Sequence, residues 1–277
     1  MSVVLEQPSP VRRGIGWHRI GAMLLRHWYL LTSSWPRLLE LVYWPALTLI
    51  SWGFLQNYVS GNASFFAKAG GTFIGAIILW DILFRGQLGF SISFLEEMWS
   101  RNLGNLMMSP LTPFEFLLSL MIMSIIRLAV GVVPMAAMAS AFFDFNLFGL
   151  GLALVAFFCN LIFTSWAVGI IVSGLVVRNG MGAESLAWTL VFILLPLACV
   201  YYPVSVLPVW LQWVAWLLPP TYVFEGMRAL MIDKVFRTDL MIEALAINAV
   251  LFAAAIVAFV ALLNSARKHG KLIQSGE

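Results

Sequence analysis

Apolar residues along this chain fall into long runs separated by short polar markers, and the run lengths predict helices that cross a bilayer. A crossing helix needs about 20 predominantly apolar residues. Runs of that kind occupy about 38–58, 70–95, 114–143, 147–177 and 240–264, and a shorter one starts near Ser185 and is bent or broken by Pro196. The second is long enough to cross with tilt. Between the runs stand turn formers: Asn57, Ser60, Gly61 and Asn62; Asp144 and Asn146; Arg178, Asn179 and Gly180. Asp239 caps the last run. Asn62-Ala63-Ser64 also matches a glycosylation sequon, a pattern too common to carry weight. The fold class expected is an all-α polytopic membrane protein with six spans.

Three segments do not read as plain spans. In residues 17–31, Trp17, Ile20, Gly21, Leu24, Trp28 and Leu31 share one helical face while Arg19 and Arg26 point the other way. That pattern suits a helix lying in the membrane interface with its arginines toward the headgroups. It reads as an anchor or as a gate helix at the cytoplasmic mouth of a pathway. The second segment is residues 94–116, FLEEMWSRNLGNLMMSPLTPFEF. Here Trp99, Leu103, Leu106 and Met107 recur on one side and Ser100, Arg101 and Asn105 on the other. Ser109-Pro110 stops that helix, because the residue before a proline is pushed out of the helical region. Thr112-Pro113-Phe114-Glu115 then starts the next with a capping box and a proline at its first position. A short amphipathic helix clipped between two spans is a handle through which an outside push reaches both.

The third segment, residues 201–237, contains Pro203, Pro208, Pro219 and Pro220, which rule out a continuous crossing helix. Trp210, Trp213 and Trp216 suit a short helix at the outer interface, where tryptophan prefers to sit. Two short helices that dip in and return fit best, and such backbone persists only when shielded by protein or lining a wet cavity. The segment is therefore a candidate outer gate, with Trp213, Pro219, Pro220, Tyr222 and Glu225 as its residues.

Composition agrees with a membrane protein: 61% hydrophobic, 10% charged and mean hydropathy +0.92. Soluble domains run at about 45–50% apolar and about 25% charged. The N-terminal 15 residues carry Arg12 and Arg13 but lack the apolar core of a signal peptide. No basic face or aromatic–basic motif points to nucleic acid. Cys159 and Cys199 lie inside apolar runs and read as packing residues. His18, His27 and His269 sit toward the chain ends, away from carboxylate clusters, so no metal site is readable.

Six spans put both termini on one side. Arg12, Arg13, Arg19, Arg26, Arg37, Arg101, Arg178, Arg267, Lys268 and Lys271 would share it, leaving Lys68, Arg228, Lys234 and Arg237 opposite. By the positive-inside rule both termini are cytoplasmic.

Inside the spans stand Asp81, Arg85 and Arg127, and an ionisable group there costs several kcal/mol unless paired or hydrated. Asp81 lies fourteen residues before Leu95 and Arg127 thirteen after Phe114, so both are roughly 20 Å from the cytoplasmic end. An Asp81–Arg127 pair is expected, with Arg85 as a second partner. It is either a structural tie between two spans or a polar lining that meets anionic headgroups or substrate.

With these residues in hand, the chain resembles the permease subunits of type-2 ABC exporters. The specific parts are residues 94–116 and LPVWLQWVAWLLPPTYVFEGMRALM at 207–231, the latter departing from the family pattern in that Pro220 directly precedes Thr221. The resemblance implies two permeases, as a homodimer, with two cytoplasmic ABC ATPase subunits. It makes residues 96–109 the coupling helix, 203–237 the re-entrant pair and 17–31 the connecting helix. Residues 1–37 would then be a cytoplasmic N-terminal segment, 38–264 the transmembrane domain and 265–277 a basic cytoplasmic tail. Glu97, Arg101, Asn102 and Asn105 are the residues expected to touch the ATPase, with Trp99, Leu103 and Leu106 packing below. No phosphate-binding Gly-Lys loop is present, so no cofactor or catalytic residue is expected on this chain, and ATP and Mg would be bound by the partner. The setting implied is the inner membrane of a bacterium. The cargo expected is an amphiphile: a lipid, a lipid-linked glycan or a hydrophobic drug. With 12 Trp, 21 Phe and 6 Tyr concentrated in the spans and at their ends, the aromatics serve as lipid-facing belts or line such a path. Two rivals are a secondary transporter, which would favour internal repeats, and a membrane-embedded lipid-modifying enzyme, which would need a clustered catalytic constellation.

Overall fold

Helix is the only regular structure among the described residues of the computed structural model, which are 15–62 and 72–269. Arg12, Arg13, Lys68, Lys271 and the Ala63-Ser64 half of the sequon lie outside them. In chain order the helices are α1 (Trp17–Thr32), α2 (Trp35–Asn62), α3 (Thr72–Trp99), α4 (Leu103–Met108) and α5 (Pro113–Phe143). They continue with α6 (Leu152–Asn179), α7 (Leu186–Leu197), α8 (Val209–Trp216), α9 (Pro219–Arg228) and α10 (Thr238–Lys268).

Among the described residues five helices are long and apolar enough to cross a membrane: α2 (within 35–58), α3, α5, α6 and α10. The chain is a multi-pass membrane protein. The expected fifth span is only the 12-residue α7, preceded by a single 3-10 turn at Met181–Ala183. Its length is the departure from the six-span reading. Pro196 falls at its second-last position, where the ring ends the helix because it cannot donate to the preceding turn. The Tyr202 hydroxyl donates to the Pro196 carbonyl at 2.7 Å, satisfying one of the acceptors left there.

α3 is the centre of the bundle. It is 78% buried over its most apolar stretch, against 17% for α2 and for α10, so those two turn most of their surface outward. α3 packs on α5 and α6, α6 packs most extensively on α10, and α2 lies along α5. Close approach depends on small residues. A Cβ added at Gly89 would lie 3.2 Å from Ser124 Cα, and one at Gly131 would lie 2.8 Å from the Leu41 carbonyl oxygen. Phe90, Phe94, Phe116 and Phe259 fill the core around α3.

Boundaries moved where helix propagation overrode turn-forming residues. α2 runs through Asn57, Ser60 and Gly61 to Asn62 instead of turning there. α3 continues past Leu95 to Trp99, taking Glu96 and Glu97 with it. The expected helix over 96–109 is therefore two pieces, broken at residues 100–102 where Arg101 adopts φ 51. Asp239 stands inside the first turn of α10, paired with Arg237, and provides no side-chain cap.

The start of α5 follows the sequence closely. Thr112 Oγ1 accepts from the Glu115 N–H at 3.2 Å, and Glu115 Oε2 accepts from the Thr112 N–H at 2.9 Å. Both halves of the capping box are present.

Candidate functional site

Two polar constructions interrupt this apolar bundle, one at each end of α3. At the end near Trp99, α1 is tied to the loop through its own arginines. Arg26 Nε donates to Glu97 Oε1 at 2.7 Å and Nη2 to Glu97 Oε2 at 3.1 Å, a two-point contact that fixes orientation as well as charge. Hydrogen bonding to the Glu97 carboxylate raises the Arg26 pKa above its ordinary value. Arg19 pairs with Glu115 at 2.6 Å and donates from Nη1 to the Pro110 carbonyl at 2.7 Å. The Gly16 N–H donates to Glu115 Oε1 at 2.7 Å. One carboxylate thus caps α5 and receives the start of α1.

The arginines therefore point at protein carboxylates and not at headgroups. The buried stripe of α1 is Ile20, Met23, His27 and Leu31, while Trp17 is 68% exposed and Trp28 41%. The face read from periodicity is therefore split: Ile20 and Leu31 belong to the buried stripe, whereas Trp17 and Trp28 turn outward.

Glu96 is the second hub. Arg127 Nη2 donates to both its oxygens at 2.8 Å, and Arg37 stands 3.8 Å away. His27 is fully buried between the two acids, Nδ1 3.4 Å from Glu96 and Nε2 3.8 Å from Glu97. The expectation that the histidines avoid carboxylates fails at this position.

The expected Asp81–Arg127 pair does not form. Arg127 takes Glu96, and Asp81 takes Arg85 one turn along its own helix, Nε to Oδ2 at 2.7 Å. Gly131 rather than Arg127 lies against Arg85. Asp81 is thus level with positions beyond 131, and Arg127 sits nearer the clip. Depth counted from assumed span ends missed because α3 extends past Leu95.

The expected contact residues on the loop separate by exposure. Glu97 is fully buried and receives Asn102 Nδ2 at 2.8 Å, so it holds the loop from beneath and cannot face a partner. Leu103 is buried; Leu106 and Asn102 are half-buried. Arg101 and Asn105 are exposed, as are Trp99 and Met108 at 48% and 81%. Trp99, expected beneath the helix, lies at the surface and donates from Nε1 to Glu184 Oε2 at 2.9 Å.

The residues missed from sequence are Glu96, Glu115 as a partner of α1, and His27. The available signal was the Glu96-Glu97 doublet at the end of an apolar run. Adjacent helical positions point about 100° apart, so both acids needed separate partners on separate elements.

At the other end, α8 and α9 form a short-helix turn. Pro219 and Pro220 open α9 and are buried. The Tyr222 hydroxyl donates to the Trp216 carbonyl at 2.9 Å, and Thr221 Oγ1 to the Ala215 carbonyl at 2.7 Å. Glu225 Oε1 accepts from the Val204 N–H at 2.7 Å and from Arg228 Nη2 at 2.9 Å. Arg228 Nη1 donates to the Cys199 carbonyl at 2.9 Å. These bonds hold α9 against the 199–204 turn. Trp213, at 75% exposure, touches none of them and faces outward.

No curated protein matches the chain. A family model described as ABC-2 type transporter matches residues 20–232, which run from α1 into the turn after α9 and take in both constructions apart from Gly16 and Arg19. The match covers most of the chain, which therefore belongs to the ABC-2 type transporter family, the membrane permease component of ABC transporters that normally works with a cytoplasmic ATPase.

Proposed function

We propose that the chain is the permease of an ATP-driven exporter that moves an amphiphile out of the cytoplasm or inner leaflet. The observation that carries this is the surface of the α3–α4 loop: Trp99, Arg101, Asn105 and Met108 stand exposed on a segment bolted from beneath by Glu97 and Asn102. A partner seated there pushes on a rigid assembly, because α1, α3, α4 and α5 are joined by the same acids. α4 is the coupling helix, and residues 109–112 join it directly to the capped start of α5, so a displacement passes into that span. The ATPase supplies the ATP and Mg site. Two copies of each chain make the working unit in the inner membrane of a bacterium. Met181–Leu197 completes a six-span arrangement with both termini cytoplasmic, and α8 and α9 are the re-entrant pair at the outer face.

The experiment is crosslinking from Asn105→Cys to a co-expressed ATPase subunit, followed by reconstitution. A crosslinked adduct, and efflux that needs both chains and ATP, is the expected result. Efflux by the purified chain alone would overturn the reading.

A further inference from the structure

Between the end of α2, the first turn of α3 and the short-helix turn lies a cavity of about 990 Å³. That is the upper end of the range for ligand pockets, about 300–1,000 Å³, whose walls are mostly apolar with a few placed polar groups. Leu55, Phe73, Val200, Tyr201, Trp216 and Ile232 supply such a wall. Phe73 and Tyr201 have ring centroids 5.2 Å apart, and Trp52 packs behind them at 5.4 Å from each. The wall therefore carries a braced aromatic surface rather than isolated rings.

Four charged residues reach the cavity: Glu225, Arg228, Asp233 and Arg237. Both arginines are committed. Arg228 donates to Glu225 and to the Cys199 and Val200 carbonyls. Arg237 Nε donates to both oxygens of Asp239, at 2.9 and 3.1 Å. Glu225 is held in turn by Arg228 and the Val204 N–H. Asp233 alone has no ion pair or hydrogen bond among the described residues. Lys234 follows it in a left-handed turn, φ 59, and does not line the cavity.

An uncompensated carboxylate beside aromatic faces favours one sign of ligand. A cation gains Coulomb attraction from Asp233 and from the negative ring faces. An anion meets Asp233 with no free arginine to answer it. We propose that this cavity binds a hydrophobic monocation, with its charge at Asp233 and its apolar body against Phe73, Tyr201 and Trp216. As the class of exported substrate this rests on the export reading above; as a binding site it does not.

Tetraphenylphosphonium and tetraphenylborate have nearly the same size and shape and opposite charge. With the full chain in lipid nanodiscs, binding is followed by tryptophan quenching and by equilibrium dialysis against empty nanodiscs. Saturable phosphonium binding at least about tenfold tighter than borate binding is expected. Asp233→Asn should cut that preference below about threefold while phosphonium still binds. Ala229→Trp should abolish binding of both ions; Ser205→Trp, at an exposed wall position, does the same should the first variant fail to fold. Equal affinity for the two ions overturns the proposal. So does full preference in Asp233→Asn, undiminished binding in the folded tryptophan variants, or no saturable binding above empty discs. ATP-driven phosphonium uptake into inside-out proteoliposomes with the ATPase is read separately. Binding without uptake keeps the cavity and removes the monocation as exported substrate, while uptake without binding overturns the cavity and leaves the export reading standing.

Discussion

The two ends of α3 each hold three acids with arginines beside them, but they use them for opposite purposes. At the clip, Glu97, Glu96 and Glu115 each join elements far apart in sequence: Arg26 to Glu97, Arg127 to Glu96, Arg19 to Glu115. At the short-helix turn the ion pairs are local, Glu225 with Arg228 and Arg237 with Asp239. Long-range pairs fasten one helix to another; local pairs stiffen a single turn and leave its surroundings open. The clip accordingly encloses its three acids, whereas the turn borders a cavity of about 990 Å³ with one carboxylate that has no partner among the described residues. A transporter needs both behaviours. Under the export proposal, the end that receives force must not yield, and the end that passes cargo must have room.

The sharpest way to break this comparison is Glu96→Ala. It leaves the Arg127 guanidinium, only 5% exposed, without its carboxylate, a class of change that costs about 3–5 kcal/mol. Arg127→Ala should cost less, because Glu96 keeps His27 and Arg37 nearby. The double variant should recover part of the loss, since no buried charge is then stranded. Chemical unfolding in detergent micelles measures all three. A Glu96→Ala variant as stable as the parent would show that the clip holds nothing.

Glu115→Ala removes the acceptor of the Thr112 and Gly16 N–H groups and the partner of Arg19 together. The expected result is release of α1, read as several-fold faster tryptic cleavage after Arg19 and Arg26 with the rest of the bundle intact. Glu115→Gln, which keeps acceptor oxygen but not charge, should fall between. At the opposite end Glu225→Gln retains an acceptor for the Val204 N–H and weakens only a local pair. Its cost should be about 1 kcal/mol, and equality with Glu96→Ala would erase the distinction between the two ends.

The spans, the capping box and the short-helix turn were legible because each is written in local chemistry. Thr112, Pro113 and Glu115 sit at fixed offsets that leave little freedom. The prolines between 203 and 220 forbid a long helix wherever they fall in space. The pairing of charges was not legible. Arg127 could meet Asp81 or Glu96 depending on the register of α3 on α5, and that register follows from where Gly89 lets the two backbones approach. The buried face of α1 was ambiguous for a related reason. Its apolar residues spread over more than one stripe, so periodicity identified a helix at 17–31 and included the buried Ile20 and Leu31, but could not decide whether Trp17 or Met23 joined them against the protein. The break at Arg101 also left no mark, since no glycine or proline stands there.

That break supports the smallest effect and the most discriminating test. Arg101 holds φ 51, a conformation that glycine adopts without the cost a side chain incurs. Arg101→Gly should therefore leave stability within about 1 kcal/mol of the parent, on the favourable side if the native turn is kept. The same change removes an exposed cation from the surface proposed to meet the ATPase. Parental unfolding together with weakened crosslinking from Asn105→Cys would assign Arg101 to docking. Parental values of both would confine its role to the turn, and a large loss of stability would mean that the guanidinium holds the loop together. Because the backbone effect and the docking effect have opposite signs, one variant separates a segment kept for its shape from one kept for what it touches.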